Sequence, residues 1–338
     1  MEFRITPIFT FLSVSIKSST IPGTKYAFFY SLALVLVTSF ASLPSDPEAY
    51  WKSVLPNTPM PKAVKDLLHP EWMKDKNTVV KVGKDAVGKD HGLQGIKIYV
   101  DGATMDQLHQ FENFTLYFLE NDMKEGTKMN LQFTKATIES AFLPRAIAES
   151  IPFASKELPE IFKKFLVTPK SVEGETMKKT IKKCEKPGIK AEEKYCATSL
   201  EEMIDFSSSK LGKRVKAMST EVENETQLQK FSITGMVNAP NVSNKGVKKM
   251  AGEEAVVCHK LPYAYAVFYC HKISNTKAYK ISLEGADGTK AKAVGVCHFD
   301  TSAWNPKHFA FQVLKVEPGT VPICHVFSEE HIVWVPMV

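Results

Sequence analysis

The dipeptide Cys-His closes four short runs of β-branched and aromatic residues in the last quarter of the chain: VVCHK (256–260), VFYCHK (267–272), VGVCHF (294–299) and VPICHV (321–326). Ten residues separate His259 from Cys270, and 25 residues separate each later pair from the pair before it. Such runs, divided by turns rich in Gly, Asn, Asp and Pro, predict antiparallel strands. Because neighbouring side chains of a strand point to opposite faces, we expect the sulfurs on one face and the imidazoles on the other.

The rest of the chain predicts a few helices ahead of this strand-rich region. One helix is expected over SKELPEIFKKFL (155–166), with Ser155 as its N-cap, and a second over TSLEEMIDFSSSKLG (198–212), with a capping box from Thr198 to Glu201. Two strands are expected around a turn at Glu125 and Gly126. The sequence therefore predicts an α+β fold, mainly an antiparallel β C-terminal domain with a few helices.

Composition and the N-terminal residues bear on compartment and partners. The 43 basic and 37 acidic residues give a net charge of +6, a balance too even to predict nucleic-acid binding. The apolar run YAFFYSLALVLVTSFAS (26–42) predicts a cleaved signal peptide over residues 1–41, and a membrane anchor is the alternative. Cleavage would leave no stable membrane span. We expect a leader and flexible linker over 42–112 and the compact domain over 113–338.

A secretory route makes the six cysteines interpretable as structural residues. An even number of cysteines in an oxidising compartment favours three disulfides, with the pairing open. The residues concerned are Cys184, Cys196, Cys258, Cys270, Cys297 and Cys324. Three sequons, at Asn113, Asn224 and Asn241, predict glycosylation.

Three interpretations compete for the histidines of the four pairs. Four imidazoles without thiolates suit copper or zinc, and a nitrogen-only set favours copper. A closed zinc site built from both Cys and His is the second interpretation, although strand geometry separates the two atom types. In the third, the histidines only bond to backbone carbonyls at strand ends. Nearby His308, His331, Asp300 and Trp304 could support a site or simply pack there.

The chain resembles a known family at these residues. The four pairs with their spacings, followed by Trp334, are similar to the signature of the plant BURP domain. The resemblance covers about residues 114–338 and includes YFLENDMKEGTKMNL (117–131), FLPRAIAESIPF (142–153) and KYCATSLEEMIDF (194–206). At its start this chain has Tyr117-Phe118 where the family usually has Phe-Phe. The leader YWKSVLPNTPMPKAVKDLLHP (50–70) is similar to that of the seed-protein branch, whose type is the unknown seed protein.

The resemblance implies a secreted protein of the apoplast or cell wall, or alternatively of the protein storage vacuole. It implies a role in seed development, the cell wall or stress responses. Some members are copper-dependent peptide cyclases that crosslink Tyr or Trp side chains of a core peptide. If that activity carries over, copper is the cofactor and the cysteines are structural. The metal ligands implied are His259, His271, His298 and His325, with no catalytic residue identified.

The substrate and partner are left open between two alternatives. A core peptide in the leader would centre on Trp51 or Trp72, each of which could equally be an aromatic anchor, and the substrate could instead be a separate peptide. The non-enzymatic alternative is a wall protein that binds acidic pectin through the basic segment KKTIKKCEKPGIK (178–190).

Overall fold

Helices dominate the first two thirds of the domain and strands the last third. The structure is a computed structural model and describes residues 46–68, 113–133, 140–188, 192–234, 247–249, 254–272 and 275–337. The helices in these ranges are α1 (Pro47–Val54), α2 (Lys62–Leu68), α3 (Arg145–Glu149), α4 (Leu158–Lys164), α5 (Val172–Glu185), α6 (Leu200–Leu211) and α7 (Phe309–Leu314). The strands are β1 (Phe118–Leu119), β2 (Lys128–Leu131), β3 (Glu193–Ala197), β4 (Val215–Met218), β5 (Glu221–Val222), β6 (Gln229–Ile233), β7 (Val247–Lys249), β8 (Val256–Leu261), β9 (Val267–Lys272), β10 (Thr276–Gly285), β11 (Lys290–His298), β12 (Ile323–Val326) and β13 (Ile332–Pro336). The α+β prediction, with mainly antiparallel strands, is confirmed.

The larger sheet, sheet A, contains the third and fourth Cys-His pairs. Its eight strands follow the order β1-β12-β11-β10-β6-β2, with β5 added to β11 and β7 to β10. The backbone N–H of Thr115, just before β1, donates to the carbonyl of Asn130 on β2 at 2.9 Å. The sheet therefore curls until its two ends meet. The curl encloses an apolar cluster that includes Met129, Phe231 and Ile281.

The smaller sheet, sheet B, contains the first and second Cys-His pairs. Its five strands follow the order β3-β9-β8-β13-β4, and all pairings are antiparallel. One face packs under helices α1, α2 and α6 and contributes Phe268 and Trp334 to an apolar cluster there. The other face meets sheet A.

The two sheets pack against each other through a shared apolar layer. Val257 and Val333 from sheet B meet Val294 and Val296 from sheet A, and all four are essentially inaccessible to solvent. Along each strand these valines alternate with residues that face the other apolar clusters, because successive side chains of a strand point to opposite faces. Side chains that share the parity of these valines therefore point into the space between the sheets.

Residues 46–68 of the predicted leader pack on the domain. The short helical patch Lys62–Leu68 is confirmed as α2, but α1 was not predicted, and both helices pack into the cluster over sheet B. Trp51 is 2% exposed, lies 5.3 Å from Trp334 between ring centroids, and donates its indole N–H to the Thr58 carbonyl at 2.9 Å. The apolar face of each short helix is covered by the domain and not by its own neighbours.

Two predicted helix starts are corrected by one or more residues. Ser155 is not the N-cap of α4, because a 3₁₀ turn precedes that helix and the Ser155 hydroxyl and N–H both bond to Glu185. The capping box of α6 is shifted by one residue, since Ser199 caps the Glu202 N–H and the Glu202 carboxylate accepts from Thr198. The helix ends before Gly212, as predicted.

The predicted signal peptide and most of the predicted linker lie outside the described residues. Within the described ranges, none of the helices combines the length and apolar character needed to cross a bilayer.

Candidate metal centre

The register of the Cys-His strands puts sulfur and imidazole on opposite faces. Cys258 of β8 lies directly opposite Cys270 of β9, and Cys297 of β11 lies directly opposite Cys324 of β12. Each opposed couple forms a disulfide on the face turned away from the other sheet.

A third disulfide joins Cys184, at the end of α5, to Cys196 on β3. All six cysteines are thus paired, so the prediction of three disulfides is confirmed. Because the sulfurs are bonded to one another, a site that uses thiolates as metal ligands has no donor among them.

The first two histidines form a close couple on sheet B. His259 and His271 are diagonal neighbours across β8 and β9, since His259 is opposite Tyr269 and His271 is opposite Val257. Their Nε2 atoms lie 3.2 Å apart. Two nitrogen ligands of one ion, each at about 2.0–2.1 Å, stand about 2.9 Å apart in square-planar and about 3.3 Å apart in tetrahedral geometry. The observed separation falls in that interval.

The other two histidines form a looser couple on sheet A. His298 and His325 are diagonal neighbours across β11 and β12, with ring centroids 5.6 Å apart and planes inclined by 23°. His298 is 5% exposed, and its Nδ1 lies 3.3 Å from the Thr276 hydroxyl. Because a hydroxyl can donate or accept, this contact permits either tautomer of His298.

The two couples face each other across the layer between the sheets, with Phe327 between them. The Phe327 ring lies 5.5 Å from His259 and 4.6 Å from His325 between centroids, and it is 3% exposed. Within the described ranges, no group of three or more His, Cys, Asp or Glu side chains has the geometry to hold a metal ion. The four histidines are therefore neighbours in two couples, and their side chains do not meet at a single point.

Two further histidines extend the couples into a continuous array. His331 lies 5.0 Å from His259 between centroids, and His308 joins the other end through Trp304, which is 4.7 Å from His308 and 5.1 Å from His298. All six histidines that the structure describes belong to this array, which we call the histidine array. Asp300 does not belong to it, because this exposed carboxylate bonds to Ser302.

The backbone fixes the tautomer of the two added histidines. The Lys260 N–H donates to Nδ1 of His331 at 3.2 Å, and the Ala310 N–H donates to Nδ1 of His308 at 3.1 Å. Since a backbone N–H can only donate, Nδ1 is the unprotonated nitrogen and the neutral ring carries its proton on Nε2. His308 and His331 therefore present N–H donors, while the metal-binding lone pair at Nε2 is absent.

Burial keeps most of the array uncharged. Desolvation lowers the pKa of His259 and His298 well below the usual value, and neighbouring imidazoles lower it further. Burial also lowers the pKa of His325 to about 4, of His308 to about 4 and of His331 to about 3. These imidazoles are neutral at physiological pH, which is the state that binds a metal ion.

His271 contacts the carboxylate of Glu192. Oε1 of Glu192 lies 2.8 Å from Nδ1 of His271, and the same oxygen accepts the Tyr269 hydroxyl at 2.9 Å. The contact with His271 has the distance but not the alignment of a hydrogen bond. Glu192 was not predicted as a site residue, because it lies between Cys184 and Cys196 in a Lys-rich segment whose fold the periodicity did not reveal.

The residues present fit a nitrogen-ligated ion in three respects. The Nε2 atoms of His259 and His271 have the separation of two ligands, burial lowers the pKa of His259 well below its usual value, and the thiols that would compete are oxidised. Nδ1 of His259 is buried without a hydrogen-bond partner among the described residues. The 3.2 Å hydrogen bond between the two Nε2 atoms requires one of them to carry a proton in the metal-free protein, and a bound ion would replace that proton.

Two antiparallel sheets pack face to face. Each carries a disulfide on its outer face and two imidazoles on the face toward the other sheet. This arrangement defines a disulfide-linked domain built on pairs of Cys-His strands. The chain belongs to the BURP-domain family: the family model for the BURP domain matches residues 116–336. The resemblance noted from the sequence is thereby confirmed, and assignment to the seed-protein branch stays a prediction.

The relatives of this chain are plant proteins. It is 39% identical over an alignment of 374 positions to BURP domain protein RD22 of Arabidopsis thaliana, and the alignment covers 85% of this chain and 93% of the relative. It is 40% identical to BURP domain-containing protein 5 of Oryza sativa subsp. japonica, covering 85% and 86%. It is 47% identical to BURP domain-containing protein 3 of the same rice, covering 70% of this chain and 54% of that relative.

Proposed function

We propose that this protein is a secreted BURP-domain protein that binds copper through its two histidine couples, His259 with His271 and His298 with His325. The observation that carries the proposal is the 3.2 Å separation of the Nε2 atoms of His259 and His271 inside the buried histidine array. Nitrogen-only ligation favours copper over metals that prefer oxygen. Three disulfides agree with an oxidising compartment, and secretion to the apoplast or cell wall, or alternatively to the storage vacuole, is part of the proposal.

Copper, when bound, can accept one electron from a phenol or indole and pass it to dioxygen. The other residues of the array would surround that chemistry with apolar and hydrogen-bonding groups. Phe327 fills the space between the two couples and excludes water, and His308 and His331 offer N–H donors. Tyr117, whose pKa is raised by burial, lies 5.6 Å from His308 and 5.8 Å from His325 between ring centroids.

The alternative function is that of a copper-dependent peptide cyclase acting on Tyr or Trp side chains of a ribosomal peptide. In the folded protein Trp51 packs on the face of sheet B opposite to His259 and His271, where it serves as an anchor. That position favours a separate peptide as substrate. Trp72, the other candidate in the leader, lies outside the described residues.

Copper binding is tested by titrating the secreted, metal-free protein with Cu(II) and counting bound ions by mass spectrometry of the native protein. His271→Ala is expected to remove or severely weaken one binding step, because it deletes one of two close ligands. His331→Gln is the matched control: it changes a neighbouring imidazole whose Nε2 is a donor, so stoichiometry is expected to be retained. Equal binding by wild type and His271→Ala would reject the proposed ligands.

The cyclase alternative has its own assay. Copper-loaded protein is incubated in air with short peptides containing Tyr or Trp, and product masses are followed. Closure of a ring through a side chain removes two hydrogen atoms from the peptide, with the electrons passing to dioxygen. Fully loaded protein that leaves every such peptide unchanged would reject the cyclase function while leaving copper binding intact.

The proposal includes a role in seed development, the cell wall or stress responses, with pectin as the polymer partner. Helix α5 exposes Lys179 and Lys182 to solvent, which supports attraction to an acidic polysaccharide. Retention on polygalacturonate should weaken steeply with salt, since exposed charges are screened within about 10 Å at 0.1 M. Retention that does not respond to salt, or to Lys179→Gln with Lys182→Gln, would reject this partner.

A further inference from the structure

Glu192 contacts the couple formed by His259 and His271, although it is not part of any Cys-His pair. Its side chain is 8% exposed, with Oε1 2.8 Å from Nδ1 of His271 and 2.9 Å from the Tyr269 hydroxyl. It immediately precedes strand β3, whose pairing with β9 puts Lys194 opposite His271. The carboxylate therefore approaches His271 from the neighbouring strand of sheet B.

Because Glu192 contacts Nδ1 of His271, it influences whether Nε2 of the same ring has a free lone pair. A carboxylate at Nδ1 favours the tautomer with the proton on Nδ1, which leaves the lone pair on Nε2. Nε2 of His271 is the atom that lies 3.2 Å from Nε2 of His259. Carboxylates in this position orient a metal-binding imidazole and increase its basicity. Such contacts are often poorly aligned before the ligand binds, as the His271 contact is here.

The segment that carries Glu192 is fastened on both sides of the carboxylate. The disulfide Cys184–Cys196 ties the end of α5 to β3. The ammonium groups of Lys183 and Lys194 lie 5.1 and 5.2 Å from the centre of the Tyr269 ring, and Lys194 also donates to the carbonyls of Lys183 and Cys184. These two lysines thus pack on the residue that shares the carboxylate.

We propose that Glu192 is a positioning residue for the His259–His271 couple: the disulfide-closed segment holds its carboxylate against Nδ1 of His271, so that Nε2 is directed at a shared metal ion. This inference rests on the proposed copper site and adds to it a residue outside the Cys-His pairs. It predicts that metal affinity depends on a carboxylate contributed by the Lys-rich segment.

The test compares Glu192→Gln with wild type, using the full secreted chain. Cu(II) affinity is measured by competition with a chromophoric chelator, and the electron paramagnetic resonance spectrum of the loaded protein is recorded. Loss of the charge should weaken binding by about tenfold, the lower end of the range for residues that orient metal ligands, and should shift the spectrum. The matched control is Glu254→Gln, which removes an exposed carboxylate that pairs with Lys272 on the same sheet and should change neither reading.

A measurement without metal separates this inference from the proposed function. Nitrogen-15 NMR of the metal-free wild type reports the tautomer of His271 directly, and we expect the proton on Nδ1. A proton on Nε2, or affinity unchanged in Glu192→Gln, would overturn the positioning role. A wild type that binds no copper, with His271 in the expected tautomer, would instead reject the proposed function.

Discussion

Trp51 provides the sharpest test of the claim that residues 46–68 are part of the domain. Its indole is 2% exposed, packs 5.3 Å from Trp334 and donates to the Thr58 carbonyl. Replacing a buried Trp by Ala costs about 3–5 kcal/mol, because packing is lost and a cavity remains. At roughly 2–4 °C per kcal/mol for a domain of moderate size, the melting temperature of Trp51→Ala should fall by about 10 °C.

The assay is thermal unfolding followed by near-ultraviolet circular dichroism, with disulfides intact. Lys52→Ala is the control on the same helix, since Lys52 is largely exposed and its ion pair with Glu48 lies in solvent, where such pairs add little to stability. A Trp51→Ala protein that melts within about 2 °C of Lys52→Ala would refute the reasoning. It would mean that α1 rests on the domain without stabilising it.

Three further predictions concern the metal-free protein. Burial lowers the pKa of His325 to about 4 and of His331 to about 3 from a usual 6.5, so below pH 6.5 the unfolded chain binds more protons than the folded protein. In a series of urea titrations, the free energy of unfolding should therefore hold steady above pH 6.5 and decrease from there toward pH 4. Replacing Cys184 and Cys196 together by Ser should lower the free energy of unfolding by about 3 kcal/mol, as expected for a disulfide that closes a short loop. A urea midpoint equal to that of wild type would contradict a stabilising role of this disulfide. Asn224 is exposed, so protein from a eukaryotic secretory host should lose mass on treatment with an N-glycosidase, and Asn224→Gln should lose part of that shift.

The four Cys-His runs made much of the fold predictable, because each run by itself predicts a strand and the faces to which its Cys and His point. Alternation along a strand puts Cys258 and His259 on opposite faces whatever the rest of the chain does. Antiparallel pairing then brings Cys258 to Cys270 and Cys297 to Cys324, leaving the imidazoles together. The sequence could not show which strands would be neighbours, so the pairing was left open.

Features that depend on contacts distant in sequence were missed. Helix α1 owes its burial to Trp334 and to the face of sheet B, so its own short pattern looked like an extended segment. Phe327 lies between the histidine couples only because the two sheets pack face to face. Glu192 reaches His271 through the pairing of β3 with β9, a register that periodicity alone does not specify.

X-ray absorption at the copper edge of the loaded, secreted protein is the most direct test of the proposed metal centre. We predict only nitrogen or oxygen neighbours at about 2.0 Å and an imidazole outer-shell pattern, which weakens when His259 and His271 are both changed to Ala and is lost when His298 and His325 are changed as well. A sulfur neighbour at about 2.3 Å would mean that a cysteine binds the metal, in contradiction to the closed disulfides. Absence of bound copper from correctly folded protein would contradict the account more completely.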